Sequence, residues 1–158
     1  MEAPWISVRE TVRDEWIDFN GHMTNAAYVA AFDLASVALL HRIGIDPLYR
    51  AREQCSTFAL ELHTMFHREL TARARYFIET RVLDYDKKRI HLFHQIKGAD
   101  ENFLAASLEV VTIHVDLHQR RSTPFPEHVI RQLEICRAAS AGLSWPETAG
   151  CKVGLRQG

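Results

Sequence analysis

Cysteine is scarce in this chain of 158 residues, and its three copies, Cys55, Cys136 and Cys151, stand far apart. An odd count without a CxxC pair offers neither a disulfide scaffold nor a zinc knuckle, and it fits a reduced, cytoplasmic setting. Glycine and proline are also sparse, with seven and five copies, too few for a linker-rich or low-complexity chain. Neither sign of charge dominates. Nineteen basic and twenty acidic side chains nearly cancel, so no global field draws in nucleic acid or anionic lipid. The longest apolar stretch, 26–40, is broken by Asp33, so no membrane span is expected. The start, Met1-Glu2-Ala3-Pro4-Trp5, has neither the basic nor the apolar region of a signal peptide. What remains is the length and 47% hydrophobic content of one domain, 1–158, with its core at about 5–127.

The segment 5–12 reads as a strand leading into a polar and aromatic loop, 14–24. The stretch 26–40 that follows is rich in Ala and Leu, which favours helix, and Gly44 is a natural stop. It is apolar on nearly all sides, where a surface helix shows one stripe. Downstream come four strand-like stretches at 56–68, 73–84, 89–97 and 103–116. In the first, Phe58, Leu60, Leu62 and Phe66 alternate with Glu61, His63, Met65 and His67. Turn-like segments at 84–88 and 98–102 join the strands into an antiparallel meander. A small C-terminal helix at about 125–142 carries Val129, Leu133 and Cys136 on one face, and the tail beyond is irregular. The order predicts an α+β fold in which a curved antiparallel sheet wraps a central helix. One sheet covers only part of a helix, so a second subunit is expected.

The loop before the helix carries the pattern D-x-x-G-H-M-x-N-x-x-Y at Asp18, Gly21, His22, Met23, Asn25 and Tyr28. Alone, Asp-x-x-Gly is a common surface turn. Placed before an over-apolar helix, the longer pattern resembles the active-site segment of hotdog-fold acyl-CoA thioesterases of the 4-hydroxybenzoyl-CoA thioesterase type. Glu61-Leu62-His63, His91-Leu92-Phe93-His94, Ile113-His114-Val115-Asp116 and the run 120–126 are similar to the thioesterases of carnitine and betaine catabolism, including the domain fused to L-carnitine dehydrogenase. The resemblance implies a hotdog fold, hydrolysis of a short cationic acyl-CoA such as betainyl-CoA, and a homo-oligomer, dimer or tetramer. It implies no cofactor, since CoA is part of the substrate. It places the catalytic carboxylate at Asp18 and the oxyanion-binding amide at Asn25. His22 orients the loop or binds the acyl group.

The chemistry reads the same way from the residues. Thioester hydrolysis needs a carboxylate or activated water and a donor for the oxyanion. Free amides at a helix start, together with the positive end of its dipole, suit that oxyanion. Gly21 permits a tight turn. Asp33, the only charge in 26–40, is a rival carboxylate. Glu61, His63 and Glu109 are candidates for the pocket. Trp16, Phe19, Tyr28, Phe66 and Phe93 are the aromatics available to a quaternary ammonium. Arg120, Arg121 and the Lys87-Lys88-Arg89 run are the cations available to CoA phosphates. His63 and His67 are too far apart along a strand to share an ion, so no metal is assigned. Thr24 stands where many relatives carry Asn. A hydratase or dehydratase using His22 with Glu61, and a non-catalytic acyl-CoA-binding module, remain as alternatives.

Overall fold

The computed structural model describes residues 4–155. The first three residues of the leader segment read above, and residues 156–158, lie outside that range. Strand β1 (Trp5–Thr11) is followed by a short 3-10 turn (Asp14–Trp16) and then by helix α1 (Asn25–Arg42). The Thr24 hydroxyl caps α1 by accepting from the Ala27 amide at 3.2 Å, and His41 and Arg42 complement the negative end of the dipole. Helix α2 (Pro47–Glu53) was not anticipated, although its signals are present in the sequence. The Asp46 carboxylate accepts from the Tyr49 amide at 2.7 Å, and Pro47 opens the first turn. The long strands are β2 (Cys55–Phe66), β3 (Arg75–Tyr85), β4 (Arg89–Gly98) and β5 (Leu104–Asp116). A two-residue β6 (Arg121–Ser122) and helix α3 (Glu127–Ala139) complete the chain, with Pro126 standing at the N-cap of α3.

The sheet is antiparallel throughout in the order β1-β3-β4-β5-β2, with β6 paired to β5. It curls around α1 as the hotdog expectation requires. Its inner face presents Ile78, Val82, Leu92, Ile96, Leu108 and Val110 to the buried side of α1, namely Ala27, Tyr28, Ala31, Phe32, Ala35 and Leu39. Val129, Leu133 and Cys136 of α3 join the same core. The other side of α1 is not covered by the chain: Leu34 is 41% and Val37 39% exposed.

Strand β2 departs from the simple alternation. A bulge between Ala59 and Glu61 leaves Leu60 without a partner in β5. The extra residue puts Phe58, opposite Ile113, on the face shared by Glu61 and His63, while Leu62 and Phe66 lie opposite Val110 and Ala106 on the inner face.

The inner face also holds a polar thread. The Ser7 and Thr80 hydroxyls are 2.7 Å apart, Thr80 meets His94 Nδ1 at 2.9 Å, and His94 Nε2 meets the Ser36 hydroxyl of α1 at 3.1 Å. His94 is fully buried, and desolvation pushes its imidazole down to about 3. A second tie joins the start of α1 to the loop after β2. The Tyr28 hydroxyl accepts from the buried Leu70 amide at 2.8 Å, and the Met23 amide donates to the Leu70 carbonyl at 2.8 Å.

These contacts set two stability predictions. Above about pH 6.5 His94 is neutral whether the chain is folded or not. Between that pH and about 3 the unfolded chain takes up a proton that the folded one refuses, so stability falls as pH drops through that window. Urea unfolding at stepped pH values should show the wild type losing about 1 kcal/mol per pH unit more than His94→Gln within it. Tyr28→Phe should cost about 1–3 kcal/mol in the same measurement, because it leaves the Leu70 amide buried without an acceptor.

Candidate active site

The motif loop folds as a small hairpin. Ile17 bridges Met23, the Asp18 amide donates to His22 O at 3.1 Å, and the Thr24 amide donates to Trp16 O at 2.9 Å. The Gly21 amide closes the turn on Asp18 O at 3.0 Å, and Gly21 holds φ +83°, which a side chain would strain. His22 bridges Thr71, which fastens the loop to the segment after β2.

Within this hairpin the Asp18 carboxylate is held in place. It accepts from the Asn20 amide at 2.8 Å and from the Asn20 side-chain amide at 3.2 Å, and His22 Nδ1 lies 4.0 Å away. Partial desolvation raises its pKa, but the two Asn20 hydrogen bonds and the nearby His22 outweigh that and hold the carboxyl below its ordinary value. It is therefore ionised at neutral pH. Its side chain is 22% exposed, against 98% for Phe19 beside it. Asp18 faces His22 two residues above the Trp16–Thr24 step, about 7 Å along the ladder from the chain's entry into α1. At that entry Thr24 occupies the Ala27 amide. Among the described residues no acceptor takes the amides of Asn25 and Ala26. An ionised carboxylate thus stands near two open donors at the positive end of an 18-residue helix.

The remaining sequence candidates divide between the two faces of the sheet. On the α1 side, Phe66 meets Tyr28 edge-on at 5.4 Å, and Asp33 lines a cavity of about 240 Å³ between α1 and the β2–β5 pair. Tyr28 itself is buried with its hydroxyl committed to Leu70, so it holds the loop and is not an open cage face. Trp16 is half-buried under the Arg13 guanidinium, 4.8 Å from its ring.

Glu61, His63, Glu109 and Phe93 lie on the opposite, convex face, because His63 pairs with Glu109 and Glu109 with Phe93 across the ladders. This corrects their reading as pocket residues. Glu109 accepts from the Gly150 amide at 2.6 Å and pairs with His91 Nε2 at 2.6 Å, so it anchors the tail as a paired structural charge. Phe93 is buried there, 2% exposed. The tail was read only as irregular. It crosses this face, with Trp145 against His91 and Thr148 against Ser107.

The basic candidates converge at the far end of the sheet. The His114 amide donates to Lys88 O at 2.8 Å, and Lys88 Nζ reaches the Ser122 hydroxyl at 3.0 Å, so the turn carrying Lys87, Lys88 and Arg89 lies against the turn carrying Arg120 and Arg121. The Arg120 guanidinium sits 5.5 Å over Phe58. This corner flanks the Cys55 end of β2, while the Asp18 loop flanks the Phe66 end, a strand's length away. His114, singled out by its motif, is a clamp between the Tyr49 hydroxyl and Thr123 O, each at 3.0 Å.

Comparison with known proteins agrees with this geometry. Residues 12–133 match the thioesterase-like superfamily. The chain is 35% identical over 144 residues to a betainyl-CoA thioesterase of Pseudomonas aeruginosa, covering 91% of each. It is 37% identical over 139 residues to an L-carnitine dehydrogenase/betainyl-CoA thioesterase of Agrobacterium fabrum, covering 88% of this chain and 28% of that longer protein. A Staphylococcus aureus protein solved in complex with CoA superposes with a TM-score of 0.91 and 30% identity, covering 99% of this chain and 98% of that one. The chain belongs to the thioesterase-like superfamily, and it is a hotdog-fold thioester hydrolase.

Proposed function

We propose that the protein hydrolyses a short cationic acyl-CoA of the betainyl-CoA type, releasing CoA and the free carboxylate. The observation that carries the site assignment is the ionised Asp18 carboxylate, fixed by Asn20 near the open Asn25 and Ala26 amides. A thioester carbonyl seated with its oxygen on those amides has its developing negative charge stabilised by fixed dipoles. Asp18 then attacks the carbonyl carbon directly, or takes a proton from the water that attacks it. In both routes the carbon–sulfur bond breaks and the thiolate leaves to be protonated as CoA. In the direct route, water hydrolyses the acyl–Asp18 anhydride. No cofactor enters either route. Dehydration at the α and β carbons would instead need an acid–base pair, and Glu61, the partner considered for His22, lies on the convex face.

The site is completed by a second copy of the chain. Among the described residues no strand pairs with the outer edge of the 12-residue β2, and Leu60 and Leu62 on it are 57% and 47% exposed. Such an edge, continuous with the bare side of α1, invites pairing with its own kind. Two β2 edges related by a two-fold axis run antiparallel, which lays the Cys55 end of one copy beside the Phe66 end of the other. The basic corner of one copy then stands beside the Asp18 loop of the other, where CoA phosphates need cations.

Two experiments test this reading. With a chromogenic thiol reagent and a panel of betainyl, aliphatic and aromatic acyl-CoAs, Asp18→Asn should lower kcat by at least about 100-fold with an unchanged melting temperature, since Asn keeps an oxygen for the Asn20 amide. Full turnover by that variant overturns the assignment. Leu60→Glu should convert the oligomer to monomers in analytical ultracentrifugation and remove thiol release with it. A variant that stays assembled and active removes the β2 edge from the interface.

A further inference from the structure

Asp33 has no hydrogen bond or ion pair among the described residues, yet it stands at a cavity whose walls are mostly apolar: Val29, Phe32, Val37, Leu62, Leu108 and Val110. No lysine or arginine lines that cavity. The Ser36 hydroxyl, which also lines it, is backed by His94, and His94 is neutral, so the protein supplies no positive charge from behind either. A second polar group points to a ligand. Thr112 is 6% exposed, lines the same cavity, and its hydroxyl has no protein partner. A buried hydroxyl and an unpaired carboxylate on apolar walls are both costly unless something polar and positive enters.

We infer that this cavity receives the far end of the acyl group, and that Asp33 is the specificity residue that selects acyl groups ending in a methylated ammonium. The inference rests on the hydrolase reading above and deepens it. A quaternary ammonium has no N–H to donate. It is recognised by a negative charge and by apolar and aromatic walls, which here are Asp33 and Phe32.

The spacing suits a short acyl group. Asp33 lies eight residues beyond Asn25 on one helix, about 12 Å along the axis. Its side chain leans back toward the amino end, which shortens that span. An oxyanion hydrogen bond takes about 3 Å and an ion contact about 4 Å. The remainder, on the order of 3–5 Å, holds an ammonium one to three carbons beyond the carbonyl.

The test compares betainyl-CoA with 3,3-dimethylbutyryl-CoA, in which carbon replaces the quaternary nitrogen at nearly constant shape. The wild type should favour the cation in kcat/KM by at least about tenfold. Asp33→Asn should lower that preference by about tenfold or more while kcat on the neutral isostere stays within about threefold. An unchanged preference in Asp33→Asn overturns the inference, and so does an equal fall on both substrates, which would make Asp33 catalytic or structural. A wild type that cleaves other acyl-CoAs without preferring the cation removes the selectivity and leaves the hydrolase reading standing. A wild type that releases thiol from no acyl-CoA removes the hydrolase reading itself.

Discussion

An apolar helix laid in the lap of one curled sheet is buried on one side only, and that shortfall organises the molecule. Ala27, Ala31, Phe32, Ala35 and Leu39 are spent on the sheet's inner face, while Leu34 and Val37 on the other side of α1 stay more than a third exposed. The small residues Ala27, Ala31 and Ala35 let the helix sit close to the strands. The same closeness leaves the unpaired edge of β2 and the bare side of α1 as one continuous apolar surface. The cavity beside Asp33 opens on that surface. The helix start, with its free amides, stands at one end of it. Packing, assembly and catalysis are thus three uses of the same helix.

Electrostatics then acts on what packing leaves open. A carboxylate useful in thioester cleavage must be ionised, held still and kept off the amides it will work with. Asn20 does all three for Asp18. Its two hydrogen bonds lower the carboxyl's proton affinity, fix its orientation, and turn it within the hairpin, so that it does not collapse onto the Asn25 amide. The hairpin is held from both sides, by the Trp16–Thr24 step and by the Leu70–Thr71 segment, and Tyr28 ties that segment to α1. Much of the D-x-x-G-H-M-x-N-x-x-Y pattern is therefore support. Gly21, Met23 and Tyr28 shape and anchor the loop that displays Asp18.

The strands, the apolar helix and the motif loop were legible because each leaves a local periodic or turn signature. What was not legible shows where local reading ends. Helix α2 is announced by Asp46 and Pro47, and it was missed because it is short and carries no apolar stripe. The β2 bulge has no compositional mark: one extra residue at Leu60 moves Phe58 to the other face and leaves the sequence looking evenly alternating. The meeting of the Lys87–Arg89 and Arg120–Arg121 turns depends on strand pairing between segments some thirty residues apart, which no short-range pattern encodes.

The histidines make the sharpest case. His91 and His94 sit three residues apart on β4, within one motif-like run. Strand parity sends His94 inward, where burial strips it of charge and Thr80 and Ser36 engage its ring nitrogens. The same parity sends His91 outward to Glu109 and the tail. Residue type suggested catalysis for this His–Glu chemistry, but the face decides otherwise, because a pair pinned under the tail on the convex side is across the sheet from the helix start where a thioester can be held. A carboxylate becomes a candidate for chemistry here by standing on the helix side of the sheet without a protein cation to neutralise it. Among the acidic residues first considered, Asp18 and Asp33 meet that condition and Glu61 and Glu109 do not.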